Sequence, residues 1–229
     1  MKIIVALDIV DSEKLHHILQ DLKGCDVWVK VGMELFYHHG PDILLKVNDL
    51  GFKTFLDLKL HDIPSTVAKG LKAFKNLPIN MINVHAAGGF EMMKQANEVV
   101  KEYLPQTLLI AVTQLTSTSE IQMQKEQNIK SSLLESVLNY AKLAHSAGLD
   151  GVVCSPFEVK SIKENIDRSF LTITPGIRIE SSPSDDQKRF CTPEQALKFG
   201  SDFIVIGRPI TMSSHAGASL KEIFQRLQT

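Results

Sequence analysis

Eight short runs rich in β-branched and aliphatic residues recur along the whole chain, at 3–7, 27–31, 54–58, 81–84, 108–112, 151–154, 171–174 and 203–206. Between them lie amphipathic stretches of helical length, at 12–22, 41–50, 65–77, 91–103, 132–147, 157–165 and 193–199, with 220–227 after the last run. This alternation constrains the fold more than any other feature, because strands separated by helices pair in parallel and eight such units close on themselves. The expectation is an α/β fold, a (β/α)8 TIM barrel. A chain of 229 residues with 44% hydrophobic content can bury one core of that size, so residues 1–229 read as a single domain. Gly51, Gly148 and Gly200 directly follow helical stretches and suit left-handed helix ends. The polar stretch 117–130 and the segment 179–188 are longer than a barrel needs, and long loops in compact domains are often functional.

Within a strand, successive side chains point to opposite faces. In the first run Ile3, Val5 and Leu7 separate from Ile4, Ala6 and Asp8; in the second Val27, Val29 and Val31 separate from Trp28 and Lys30. In the third, Leu56, Leu58 and Leu60 separate from Phe55, Asp57, Lys59 and His61. With the aliphatic face packed on the helices, Asp8, Lys30, Asp57 and Lys59 point into the C-terminal mouth of the barrel, where such barrels carry their chemistry. One charge at a strand end is ordinarily a solvated residue. Four on the inward parity of three neighbouring strands are a different matter, since burying them unpaired costs several kcal/mol each. The spacing Asp57-x-Lys59-x-x-Asp62 supplies the alternating signs that pairing requires.

The remaining features narrow the partners. The 25 basic and 26 acidic residues give a formal net charge of -1, which provides no field to gather nucleic acid or an anionic membrane and favours a small-molecule partner. Cys25, Cys154 and Cys191 form no paired framework and no zinc spacing. The apolar run at 3–7 is too short for a signal-peptide core and no stretch approaches a membrane span, so the expected location is cytoplasmic. His16-His17 and His38-His39 are adjacent pairs that face apart and read as solvated, while His61 and His85 read as structural residues near the mouth. No metal is assigned. Gly176-Ile177-Arg178 and Gly207-Arg208 follow the seventh and eighth runs, where barrels often hold phosphate with a close backbone approach and a bidentate arginine.

The segment Asp57-Leu-Lys-Leu-His-Asp-Ile-Pro64 resembles the signature of orotidine 5'-phosphate decarboxylases. So do Leu7-Asp8, Val29-Lys30-Val31-Gly32, Val84-His85-Ala86-Ala87-Gly88-Gly89, Val112-Thr113-Gln114-Leu115-Thr116, Thr174-Pro175-Gly176-Ile177-Arg178, Asp186-Gln187 and Ile206-Gly207-Arg208-Pro209, in that order along the chain. The resemblance implies decarboxylation of orotidine 5'-monophosphate to uridine 5'-monophosphate in pyrimidine biosynthesis, without a cofactor. It implies a homodimer in which Lys30, Asp57 and Lys59 form a charged array completed by Asp62 of the other subunit, with Lys59 as proton donor. By the same resemblance Asp8 and Lys30 hold the ribose, Thr116 approaches the pyrimidine, and Arg178, Gln187, Gly207 and Arg208 hold the phosphate. Ile63 and Thr66 reach the site together with Asp62.

Two other readings fit parts of the pattern. A phosphosugar decarboxylase of the same barrel group, such as a 3-keto-L-gulonate 6-phosphate decarboxylase, shares the Asp-x-Lys-x-x-Asp core but uses magnesium and needs an added acid where this chain has Lys30. A barrel that only binds a phosphorylated ligand keeps Arg178 and Arg208 but has no need of Lys30, Asp57, Lys59 and Asp62.

Overall fold

The computed structural model describes residues 1–178 and 191–227. Strands β1 (Lys2–Ala6), β2 (Trp28–Gly32), β3 (Lys53–Leu60), β4 (Met81–His85), β5 (Leu108–Val112), β6 (Gly151–Val153), β7 (Leu171–Thr174) and β8 (Phe203–Ile206) pair in chain order, all parallel. β8 also pairs with β1, so the sheet closes into the expected (β/α)8 barrel. Helices α1 (Ser12–Leu22), α2 (Met33–His39), α3 (Asp42–Asp49), α4 (Pro64–Ala73), α5 (Gly89–Tyr103) and α6 (Glu120–Glu126) cover the first half. Helices α7 (Leu133–Ser146), α8 (Val159–Asn165), α9 (Pro193–Phe199), α10 (Arg208–Thr211) and α11 (Ala216–Arg226) cover the second. The expected strands all form within two residues of their sequence bounds. Gly51, Gly148 and Gly200 all take positive φ.

The structure adds helices that the apolar pattern did not show. α2 precedes α3 as a separate element, and α6 lies inside the stretch 117–130 that reads as loop. α6 begins with a capping box in which Ser119 and Gln122 exchange side-chain and backbone hydrogen bonds, a local device that needs no amphipathic stripe. Among the described residues no helix is long and apolar enough to cross a membrane.

The two faces of each strand divide as the alternation requires. Ile3, Val5, Leu7, Val29, Val31, Leu56 and Leu58 join the large core between sheet and helices. Ile4, Ala6, Trp28, Phe55, Met81, Ile110, Ile173, Phe203 and Val205 fill the barrel interior. At the N-terminal end Trp28 and Phe203 meet edge to face with ring centres 5.2 Å apart, and Lys2 and Lys53 lie over the indole at 5.8 and 5.5 Å. That end is therefore plugged, and open space is left at the C-terminal end.

One ladder is irregular. Phe55 pairs with Met81 and Leu56 with Ile82, but the next partners are Leu60 and Val84, so β3 carries two more residues than β4 across this step. Lys59, within the bulge, has φ of 51°, a left-handed conformation that costs a non-glycine residue about 1–2 kcal/mol. Bulges re-aim side chains beside functional sites, and this one lies at the mouth.

Candidate active site

A cavity of about 530 Å3 opens at the C-terminal end of the barrel. On one side it is lined by Asp8 after β1, Lys30 on β2, and Asp57 and Lys59 on β3. Gly207 to Pro209 follow β8, which neighbours β1, and Gly176 to Arg178 follow β7 beyond it, while Gln114 to Ser117 follow β5 on the far side of the circuit from β1. Ala6, Phe55, Val112, Val153, Ile173 and Val205 line it with apolar groups.

The charges form a chain of alternating sign. Lys30 Nζ lies 2.9 Å from Asp8 Oδ1 and 3.4 Å from Asp57 Oδ2, and Lys59 Nζ lies 2.7 Å from Asp57 Oδ1. The Lys30 and Asp57 side chains are only 11% and 13% exposed, so this pair is largely taken out of water. Burial alone lowers the pKa of the Lys30 ammonium, but Asp57 and Asp8 overcome it and hold the group above its ordinary 10.5. Burial alone raises the pKa of the Asp57 carboxyl, but Lys30 and Lys59, with hydrogen bonds from Lys59 and Asn83, hold it below its ordinary 3.8. Both groups are therefore charged throughout the neutral range, as a coupled buried pair must be to remain compensated.

Gly32 is fitted to this array. Its φ is −84°, which any residue adopts, yet a Cβ there would stand 2.8 Å from Asp8 Oδ1 and 2.9 Å from Lys30 Nζ. The missing side chain is the space in which the two charges meet.

Of the residues singled out in the sequence, Asp8, Lys30, Asp57, Lys59, Thr116, Arg178, Gly207 and Arg208 all line the cavity. Arg178 is 8% exposed, and Gly176 before it takes a left-handed φ of 82°. Asp62, Ile63 and Thr66 do not line it: they are exposed at the start of α4, where Asp62 accepts a 2.6 Å hydrogen bond from the Ile63 N–H. Ile63 is 64% exposed, an apolar side chain left to solvent beside the charged mouth. Gln187, with Asp186, lies outside the described residues. The backbone on either side of that segment is tied together, since Arg178 N–H donates to Cys191 O and Cys191 N–H donates to Gly176 O. Burial pushes the Cys191 thiol up to about 11, so it is held there as a packed thiol rather than a thiolate.

His61 and His85 stack with ring centres 5.4 Å apart and planes within 17°. His85 Nδ1 accepts from the Ala87 N–H, which gives the ring the structural role expected of it. Burial, then His61 and Lys59, hold its pKa below 6.5.

The sequence matches the family described as Orotidine 5'-phosphate decarboxylase / HUMPS family over residues 1–223. The chain belongs to this family. Relatives from Staphylococcus saprophyticus subsp. saprophyticus and Staphylococcus aureus, each named orotidine 5'-phosphate decarboxylase, are 52% and 50% identical to it over 220 residues, 96% of this chain and 95% of each relative. The solved orotidine 5'-phosphate decarboxylase of Lactobacillus acidophilus superposes with a TM-score of 0.86 at 44% identity, covering 100% of this chain and 99% of that one. An uncharacterized conserved protein from Geobacillus kaustophilus superposes with a TM-score of 0.87 at 40% identity, covering 98% and 99%.

In this member of the orotidine 5'-phosphate decarboxylase family, one residue beside the array was passed over in the sequence. Asn83 on β4 is fully buried and touches both Asp57 and Lys59. Its signal was present: Met81 faces the barrel interior and Ile82 does not, so Asn83 carries an amide on the inward parity of an otherwise aliphatic run. Asn83 thus takes the inward face of β4, as Lys30 does on β2 and Asp57 on β3.

Proposed function

We infer that this chain decarboxylates orotidine 5'-monophosphate to uridine 5'-monophosphate, the carbon-releasing step of de novo pyrimidine biosynthesis. The observation that carries the reading is the Lys30–Asp57–Lys59 array in a cavity that Arg178 and Arg208 also line, in a chain about half identical to enzymes of that name.

Loss of carbon dioxide leaves a carbanion at the sixth ring carbon, with no adjacent carbonyl to delocalise it. A fixed cation must meet it, and Lys59 is the group we assign, first as an electrostatic stabiliser and then as the proton donor. Asp57, beside it, repels the departing carboxylate. Two charges about 4 Å apart at an effective dielectric near 20 interact by roughly 4 kcal/mol, whereas enzymes commonly lower barriers by roughly 8–23 kcal/mol. Repulsion is therefore the smaller share, and preorganised stabilisation of the carbanion is the larger. Asp8 and Lys30 hold the ribose, Thr116 borders the base, and Arg178, Gly207 and Arg208 with Gln187 hold the phosphate. Among the described residues, a Cβ at Gly207 would meet nothing closer than Ala6 Cβ at 3.5 Å, an ordinary contact.

The site is completed in a homodimer, with Asp62, Ile63 and Thr66 of one subunit reaching the cavity of the other. Their exposure at the start of α4, with a large apolar side chain among them, supports this.

The test is to incubate purified, chelator-treated protein with orotidine 5'-monophosphate and follow loss of its absorbance. Rapid loss with release of uridine 5'-monophosphate supports both the reaction and its independence of metal. A protein that is folded and leaves the substrate unchanged overturns the reading.

A further inference from the structure

Asn83 is an amide in the middle of an aliphatic strand, with no solvent exposure. Both ends of the amide are used on β3. Its Nδ2 donates to Asp57 Oδ1 at 2.7 Å, and its Oδ1 accepts from the Lys59 backbone N–H at 2.7 Å. The second bond falls where the β3–β4 ladder breaks between Leu56 and Leu60, so the amide oxygen takes the Lys59 N–H where regular strand pairing is lost. Asp57 Oδ1 then receives two donors, Asn83 Nδ2 and Lys59 Nζ, while Asp57 Oδ2 faces Lys30.

Resting on the proposed decarboxylation, we propose that Asn83 is a positioning residue for it: one side chain holds the bulged backbone of Lys59 and the carboxylate that receives the Lys59 ammonium. A left-handed lysine persists only where its surroundings over-determine it, and a buried bond to its own N–H is such a constraint. The groups facing the amide are Asp57 and Lys59 from β3, with Lys30 of β2 behind Asp57. An aliphatic residue at 83 fills the space and strands both β3 groups. A carboxylate at 83 still accepts from Lys59 N–H but meets Asp57 with a second negative charge.

That difference gives a readout that a merely structural role does not move. In Asn83→Asp the protonated acid reproduces both bonds, donating to Asp57 and accepting from Lys59 N–H, whereas the ionised form repels Asp57; two carboxyl groups in contact share one proton. The turnover of Asn83→Asp relative to wild type should therefore rise as pH falls from about 8.5 to about 5.5. Asn83→Ala should lose about a hundredfold in kcat with a much smaller change in KM, because the phosphate grip is remote from the displaced ammonium. In its crystal structure residue 59 should leave the left-handed region. A pH-independent ratio for Asn83→Asp, or a folded Asn83→Ala with kcat within about threefold of wild type, overturns the proposal. Should Asn83→Ala not fold, the Asn83→Asp ratio, read at each pH on one folded protein, decides alone. Wild-type protein inert toward orotidine 5'-monophosphate in the same assay overturns the decarboxylase reading; an active wild type with a flat ratio overturns only the role of Asn83.

Discussion

Lys59 stands two residues beyond Asp57 on β3, yet its ammonium nitrogen lies 2.7 Å from Asp57 Oδ1. On a regular strand such residues are offset by roughly 6.6 Å and their side chains run side by side. The bulge and the positive φ at Lys59 turn the lysine back across the carboxylate. Strained backbone of this kind is kept where a site over-determines it, and Lys59 is the group assigned to meet the carbanion. Lys59→Ala should fold normally, since the lysine side chain is 30% exposed, and should lose 10²-fold or more in turnover. A folded variant that keeps more than about a tenth of wild-type rate removes the proton-donor role.

Gly32 offers a test of array geometry that leaves the charges in place. Alanine suits its backbone, and the atoms it would displace, Asp8 Oδ1 and Lys30 Nζ, are the ends of flexible side chains. The Asp8–Lys30 pair, with Asp8 53% exposed, contributes little to stability. Gly32→Ala should therefore move the melting temperature by less than about 3 °C. Its kcat/KM should fall by about tenfold to a hundredfold, because the ribose-side cation is pushed from its place. Unchanged kinetics would show that the array tolerates displacement at Lys30.

The barrel and three strands of its mouth were legible in the sequence because period-two alternation is a burial pattern, and burial on the two faces of a closed sheet follows it closely. Asp8, Lys30, Asp57 and Lys59 fell on the inward parity and do line the cavity. The bulge was not legible, since Leu56, Leu58 and Leu60 alternate with Asp57 and Lys59 as they do in a regular strand. Two extra residues preserve parity, so nothing in the pattern marks them. Asn83 was legible in principle and is informative only once its partners on β3 are known. α2 buries only Leu35 and α6 only Met123, so no apolar stripe marks either helix in the sequence.

Charge in the array has a defined pH range. Asp57 is held below 3.8, so its pairing contributes stability that is full above that value and is lost as pH falls through the lowered pKa. Lys30 is held above 10.5, so its contribution is full below that value and is lost as pH rises through the raised pKa. Between those limits neither group makes stability depend on pH. His85 does: with its pKa below 6.5 by burial, then by His61 and Lys59, the folded protein takes up this proton at lower pH than the unfolded chain. Its contribution is full above 6.5 and falls away at lower pH. Denaturant unfolding between about pH 7.5 and about pH 5.5 should show wild type losing more stability than His85→Gln. Equal slopes for the two proteins would show that His85 titrates as freely folded as unfolded.

Arg208 follows β8 on the wall away from Lys59, and we assign it to the phosphate. Arg208→Ala should weaken use of the full nucleotide strongly. It should change activity on a truncated substrate without phosphate only slightly, because the deleted contact is absent there in both enzymes. Equal proportional losses on the two substrates would mean that Arg208 supports the fold of the mouth instead.

A lysine and an aspartate three residues apart, as Lys59 and Asp62 are, could serve one site or two, and complementation separates the cases. In the single chain Lys59 lines the cavity, whereas Asp62, three residues on, is exposed at the head of α4 and does not. A twofold pairing that carries Asp62 into a neighbour's cavity makes each site composite. Lys59→Ala and Asp62→Ala proteins, each inactive alone, can be mixed, unfolded and refolded so that subunits exchange. In a mixed composite dimer one site carries both lesions and the other has Lys59 and Asp62 intact. Random pairing makes about half of the dimers mixed, so activity should return to roughly a quarter of wild type. If one chain supplied both residues, every site in every dimer would keep a lesion, and a mixture proven by subunit-exchange controls to be scrambled would stay inactive.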